Sequence, residues 1–177
     1  MKRLLFIGFF MVLFASVFFA CKDDDDLQKL RQNELENLSE FIETNYRDEE
    51  PKPSGLYFIP VEEGTDTTKI KPGDRVQVFY ATWAFNSELD SILLDETSGY
   101  TDGYRYEPYE FIVGGNEAIQ GLQEGVTYMT KGEIANLVIP SELAYGQRGT
   151  VGVAPFTTLL MQVEVYKIYP SSGQEQQ

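Results

Sequence analysis

The sequence predicts an α+β domain: a curled antiparallel β-sheet, a half-barrel, wrapped around one short α-helix, with an additional N-terminal helix. Three observations predict it. From Leu56 to Ile168, five stretches rich in β-branched and aromatic residues alternate with turn signals. Among them lies one short helical piece, Asn116 to Gln123, so the sheet has a single apolar helix to bury and must curl around it. Ahead of them, Leu27 to Tyr46 contains neither Gly nor Pro and repeats apolar residues at helical spacing.

Taken in order, the chain opens on "MKRLLFIGFFMVLFASVFFAC", with Lys2 and Arg3 followed by an uncharged apolar run from Leu4 to Ala20. The pattern is that of a secretory signal. A membrane-spanning helix is the alternative, but it asks for about 20 apolar residues, and this run is slightly shorter. Cys21, preceded by Ala20 and followed by polar chain, resembles the lipidated cysteine of a bacterial lipoprotein signal. Residues 1–20 are therefore read as a lipoprotein signal peptide. Its removal takes away Lys2 and Arg3 and no acid, so 14 basic residues fall to 12 against 28 acidic ones, a net charge of −16.

Residues 21–53 carry the lipidation site, an acidic spacer, the helix and a linker. The block "KDDDD" after Cys21 is a like-charge run that repels itself and is expected to stay extended. It also resembles the acidic tract that directs lipoproteins of Bacteroidota-type bacteria to the outer cell surface. In the helical stretch Leu27, Leu30, Leu35, Leu38, Phe41, Ile42 and Tyr46 recur mostly at three-to-four spacing, giving an amphipathic helix with an apolar side. That side is buried on the globular domain or on a second copy of the chain, which leaves a homodimer through this helix open. "RDEEPKPSG", Arg47 to Gly55, then breaks the helix.

Residues 54–169 form the globular domain. The predicted strands are Leu56–Val61, Arg75–Phe85, Tyr109–Val113, Glu133–Ile139 and Thr158–Ile168. Val76, Val78 and Tyr80 alternate on one face of the second, and Leu159, Met161, Val163 and Val165 on one face of the last. Asn86 to Pro108 reads as a loop lying on the domain, with Tyr100, Tyr104, Tyr106 and Tyr109 near Asp90, Asp95, Glu96 and Asp102. Residues 170–177 are a polar tail.

Composition excludes several functions. With 28 acidic and 14 basic residues, the charge of −14 argues against nucleic acid as a partner. The absence of histidine removes Ser-His-Asp and Cys-His catalysis and imidazole-based zinc sites. A lone cysteine rules out an intrachain disulfide. No metal site and no cofactor are expected. The acids around Asp95 do not have EF-hand spacing, and nothing fixes two of them at a glycosidase separation.

The segment "VGGNEAIQGLQEGV", Val113 to Val126, has four glycines, yet lacks the Gly-Lys-Ser/Thr ending of a phosphate loop and carries Glu124 where phosphate would be repelled. Its glycines suit tight turns at both ends of a short helix. Together, "PYEFIVGGNEAIQGLQEGV", "MTKGEIANLVIPSELAYGQRG" and "TLLMQVEVYKI", with "SGLYFIPVEEG" and "PGDRVQVFY" upstream, resemble the FKBP-type peptidyl-prolyl cis-trans isomerases from Ser54 to about Ile168. "SEFIETNY" is similar to the helix preceding the catalytic domain in larger bacterial members, which are often dimeric.

The resemblance implies a hydrophobic pocket, floored by the short helix, that accepts a prolyl ring. It implies catalytic roles for Tyr80, Asp95, Tyr145 and Ile119, and substrate contacts from Leu94, Tyr109, Ala118, Leu122, Val153 and Met161. Substrates would be proline-containing peptides or unfolded exported proteins. Rotation about X-Pro needs neither nucleophile nor proton shuttle, which suits a chain without histidine. The chain departs from the family's best-studied members in having Leu122 for a floor tryptophan and Leu94 and Met161 for phenylalanines. These exchanges give a softer pocket and motivate a second reading, a weakly active or inactive FKBP-like chaperone or binding module at the cell surface. The expected location is extracytoplasmic, lipid-anchored to the bacterial outer membrane or at the cell surface.

Overall fold

The computed structural model describes residues 20–85 and 91–171. Residues 1–19 of the apolar leader and 172–177 of the polar tail fall outside these residues, as does Asp90. The elements run α1 (Ala20–Asn45), β1 (Tyr57–Glu62), β2 (Arg75–Phe85), β3 (Ser91–Glu96), β4 (Tyr109–Ile112), α2 (Gln120–Thr127), β5 (Ile134–Ile139) and β6 (Leu159–Tyr169). All described strand pairs are antiparallel, in the order β1-β5-β6-β2-β3, with β4 also on β2. One edge of β2 is shared: β4 pairs with Arg75–Val78 and β3 with Ala81–Phe85. β1, which contains Pro60, pairs only with β5, the edge position a residue without an N–H tolerates.

The concave side holds the core. Inward-facing Val78 and Val165 are register partners across β2 and β6, as are Val163 and Ala135 across β6 and β5, and Leu122 and Val126 of α2 pack onto this face. α2 comes so close to β5 that a Cβ on Gly121 would fall 2.3 Å from Ile139 Cγ2, and one on Gly125 2.4 Å from Leu137 Cδ1. Packing here outweighs the poor helix propensity of glycine.

The convex side is covered twice. Phe41 and Ile42 of α1 pack with Ile59 and Val138, which buries β5 on both faces. Tyr100 packs with Phe79, Ala81 and Trp83 on the outer face of β2. The guanidinium of Arg105 lies 4.0 Å from the Tyr100 ring centroid and its Nε donates to Glu164 at 2.7 Å. Burial pushes the Tyr100 phenol up to about 12, with Glu164 adding to the shift and Arg105 opposing it.

Three expectations about elements change, and one open alternative is narrowed. The short helix begins four residues later than the sequence pattern suggests, at Gln120, because Gln123 bonds back to Gly114 N–H (2.6 Å) and to Gly115 O (2.7 Å) and holds the preceding residues as a loop. α1 begins at Ala20, so residues 22–26 are helical rather than an extended spacer. Acidic residues in the first turns of a helix complement its dipole, which offsets their mutual repulsion. Only the second half of the apolar side of α1 lies on its own domain: Phe41 and Ile42 are buried there with Leu38 and Tyr46 beside them, whereas Leu30 and Leu35 face outward. The segment from Asn86 to Pro108 is not all loop: it contains β3 and a 3-10 turn at Tyr100–Asp102. Glu96 accepts from the Thr101 N–H (2.8 Å) and hydroxyl (2.7 Å), and these bonds hold its carboxyl below the ordinary value.

Candidate functional site

A cavity of about 780 Å³ opens at one end of the half-barrel, between α2, the β2–β3 pair and the loop after β5. All ten pocket residues expected from the sequence line it. Leu122 (2% exposed) and Met161 (4%) serve both as core and as floor. Leu122 and Met161 make this floor aliphatic, and the chain's only tryptophan, Trp83, packs on the outer face.

Each wall has a local cause. Tyr80 and Thr82 come from β2, two residues apart and so on one face. On β3, Thr82 pairs with Asp95 and Trp83 with Leu93, leaving Leu94 as the extra residue of a β-bulge. The bulge aims both Leu94 and Asp95 into the cavity, which strict alternation would forbid. Tyr109 enters from the start of β4, and its hydroxyl donates to the Glu117 carbonyl, fixing the loop that leads to Ala118 and Ile119. Ile119 caps α2 in extended conformation (φ −61°, ψ 151°), and its N–H has no partner among the described residues. Val153 sits at the end of a tight turn closed by two backbone bonds with Thr150, of 2.9 and 3.0 Å. Gly152 supplies the positive φ of 83° that this turn requires.

The polar groups gather on one side. The Tyr80 hydroxyl donates to Asp95 Oδ2 at 2.6 Å. The Tyr80 and Tyr109 rings meet edge to face, with centroids 5.9 Å apart and planes at 83°. Burial raises the Tyr80 phenol well above its ordinary value, and Asp95 then raises it further through the hydrogen bond and its charge. Tyr109 is raised as well, first by burial and then by Glu117. Both phenols thus remain donors at neutral pH. Tyr145, 40% exposed, stands at the mouth.

Eight further residues line the cavity and were not anticipated, among them Thr82, Leu159 and Ala144. Period-two alternation from Tyr80 and from Met161 would have found the first two. Ala144 carries no sequence signal beyond lying next to Tyr145. Among the described residues no group of three or more His, Cys, Asp or Glu is placed to hold a metal ion.

The cavity thus joins an apolar floor, phenols and the Asp95 carboxylate on one wall, and an open N–H at a helix start. The comparisons with known proteins are consistent with that chemistry. Residues 66–166 match the family model described as FKBP-type peptidyl-prolyl cis-trans isomerase. The chain is 34% identical over 115 residues to peptidyl-prolyl cis-trans isomerase Fkbp12 of Drosophila melanogaster, covering 64% of this chain and 98% of that protein. It is 36% identical over 116 residues to the FKBP-type 22 kDa peptidyl-prolyl cis-trans isomerase of Escherichia coli, covering 65% of this chain and 50% of that one. FK506-binding protein 5 of Dictyostelium discoideum, 35% identical over 125 residues, is spanned over only 7% of its length. Among solved structures, FkpA from Escherichia coli superposes with a TM-score of 0.64 at 29% identity, covering 91% of this chain and 72% of that one. A peptidyl-prolyl cis-trans isomerase from Pseudomonas syringae, 22% identical, shares the fold with a TM-score of 0.65. The chain belongs to the FKBP-type peptidyl-prolyl cis-trans isomerase family.

Proposed function

We propose that this chain catalyses cis–trans rotation of X-Pro bonds in exported proteins and that its cavity does so by desolvation. The observation that carries the reading is the collection of Tyr80, Asp95, Ile119, Leu122, Tyr145 and Met161 around one cavity. The barrier to rotation is about 20 kcal/mol because resonance gives the amide bond double-bond character. Resonance separates charge, so a dry pocket disfavours the planar amide relative to the twisted transition state, in which resonance is lost. Leu122, Met161, Val153, Ala118, Leu94 and the Tyr109 ring supply the dry surface. The Tyr145 hydroxyl and the Ile119 N–H hold substrate carbonyls, and Asp95 orients the Tyr80 hydroxyl at the edge. Tighter binding of the twisted amide than of the planar one is the entire mechanism. The test is acceleration of X-Pro isomerisation in short peptides by the wild-type chain and its loss in Tyr145→Phe.

The second reading, a surface binding module with little catalysis, rests on Tyr104 and Tyr106. Their rings stack with centroids 5.5 Å apart, and they are 51% and 75% exposed. A module of that kind would lose ligand when these tyrosines are replaced and would be indifferent to Tyr145→Phe.

We further propose that Cys21 is lipidated after removal of residues 1–20, anchoring the protein to the outer membrane or at the cell surface. Among the described residues no helix is long and apolar enough to cross a membrane. Cys21→Ala should give an unprocessed or unlipidated protein, read by mass spectrometry of the membrane fraction. Normal anchorage of the mature mutant would sink the lipoprotein assignment. A homodimer through α1 would have to use Leu30 and Leu35, its outward leucines.

A further inference from the structure

The wall of the cavity that carries Tyr145 is held from outside the half-barrel. Glu34, midway along α1, is 4% exposed and points its carboxylate into the convex side of the domain. Oε1 accepts from the Ser141 N–H at 2.7 Å and from the Thr158 hydroxyl at 3.1 Å, and Oε2 accepts from the Ser141 hydroxyl at 2.8 Å. Arg31 pairs with the same carboxylate and, through its other terminal nitrogen, with Glu142. Ser141 opens the 3-10 turn Ser141–Leu143, and its carbonyl takes the Ala144 N–H at 2.9 Å. Ala144 and Tyr145 follow directly and line the cavity, as does Leu159, the residue after Thr158. Ile139 and Leu159 are register partners, so one carboxylate ties together the exit of β5 and the entry of β6.

Anchoring α1 does not require this arrangement. The helix already buries Phe41 and Ile42, and a hydrophobic residue at position 34 would avoid the cost of desolvating a charge. A fully hydrogen-bonded buried carboxylate fixes geometry instead: it satisfies one backbone and two hydroxyl donors at set distances, all of them on segments leading into the cavity. We infer that Glu34 is a positioning residue of the site, and that α1 thereby forms part of the active unit by setting the turn that carries Tyr145. For catalysis the inference rests on the isomerase reading above; for the position of the turn it does not.

The experiment uses the full chain as wild type, Glu34→Ala, Glu34→Gln, Tyr145→Phe and the two double variants, with isomerase kcat/KM and amide hydrogen exchange measured on each. Glu34→Ala should lower kcat/KM about tenfold when Tyr145 is present, as small misplacements of binding groups do, and much less in the Tyr145→Phe background. Exchange at residues 141–145 should rise about tenfold, reflecting the lost bonds to Ser141 and Thr158, with β6 unchanged. Glu34→Gln, which keeps an acceptor oxygen, should retain most of both. If Glu34→Ala does not fold, Glu34→Gln carries the same comparison with a smaller loss that still depends on Tyr145. Equal losses in both backgrounds, or unaltered exchange at residues 141–145, overturn the inference. A wild-type chain without isomerase activity would refute the proposed function, and exchange alone would then decide whether Glu34 positions the turn.

Discussion

The Tyr80 hydroxyl donates to Asp95 Oδ2 at 2.6 Å, joining β2 to the bulge of β3 on the polar side of the cavity. Tyr80 is also the residue whose backbone carbonyl takes the Thr97 N–H at 3.0 Å, so it is tied to the bulge by its side chain and to the residue after β3 by its backbone. Either partner alone loses its orientation. Asp95→Ala and Tyr80→Phe should each lower kcat/KM about tenfold, the size of a hydrogen bond to a charged group. The double variant should lose little more than either single one. Losses that multiply would mean the two side chains act separately.

The phenols predict an alkaline limit. Tyr80 and Tyr100 have folded pKa values raised above the unfolded value near 10, Tyr100 to about 12. Above pH 10 the unfolded chain releases protons that the folded chain retains, so the stability these groups contribute is present below pH 10 and is lost as pH rises toward the folded values. Denaturant titrations should give a constant midpoint from pH 8 to 9.5 and a falling one beyond about 10. Tyr100→Phe should flatten the fall between about 10 and 12; an unchanged slope would contradict the account of its burial.

Gly125 faces Leu137 so closely that an added Cβ would meet Leu137 Cδ1 at 2.4 Å. Glycine-to-alanine in an exposed helix interior stabilises by about 1 kcal/mol. Here the sign should reverse, with Gly125→Ala destabilising by about 1–3 kcal/mol through overpacking. The denaturant midpoint reads this directly. A stabilised variant would mean that α2 and β5 lie further apart than described.

Tyr104 and Tyr106 separate the two functional readings. If catalysis belongs to the cavity, replacing both by alanine should leave kcat/KM within about twofold, as for other exposed positions. A large loss of isomerase activity would bring this stacked pair into substrate binding.

The sheet was legible because period-two alternation in β2 and β6 acts over many residues at once, and the ten cavity residues were legible through the resemblance that the order of motifs carries. What escaped the sequence depended on a single extra residue or a distant partner. The β-bulge turns Leu94 inward beside Asp95, and no alternation pattern announces it. β3 was read as loop because "SILLDE" is short and lies among turn-forming residues, while its pairing partner is in β2. The start of α2 was misplaced because Gln123, a residue inside the helix, holds the preceding loop by its side chain. Glu34 carries no local sequence signal, because its partners lie 107 and 124 residues away.

The most direct test of the central claim is protease-coupled isomerisation of short X-Pro peptides by the full chain, run beside Tyr145→Phe. The account predicts acceleration by the wild type that varies with the residue before proline and falls about tenfold in the mutant, as loss of one positioned hydrogen bond does. Folded wild-type protein that leaves the uncatalysed rate unchanged, or a Tyr145→Phe variant as active as the wild type, would contradict it.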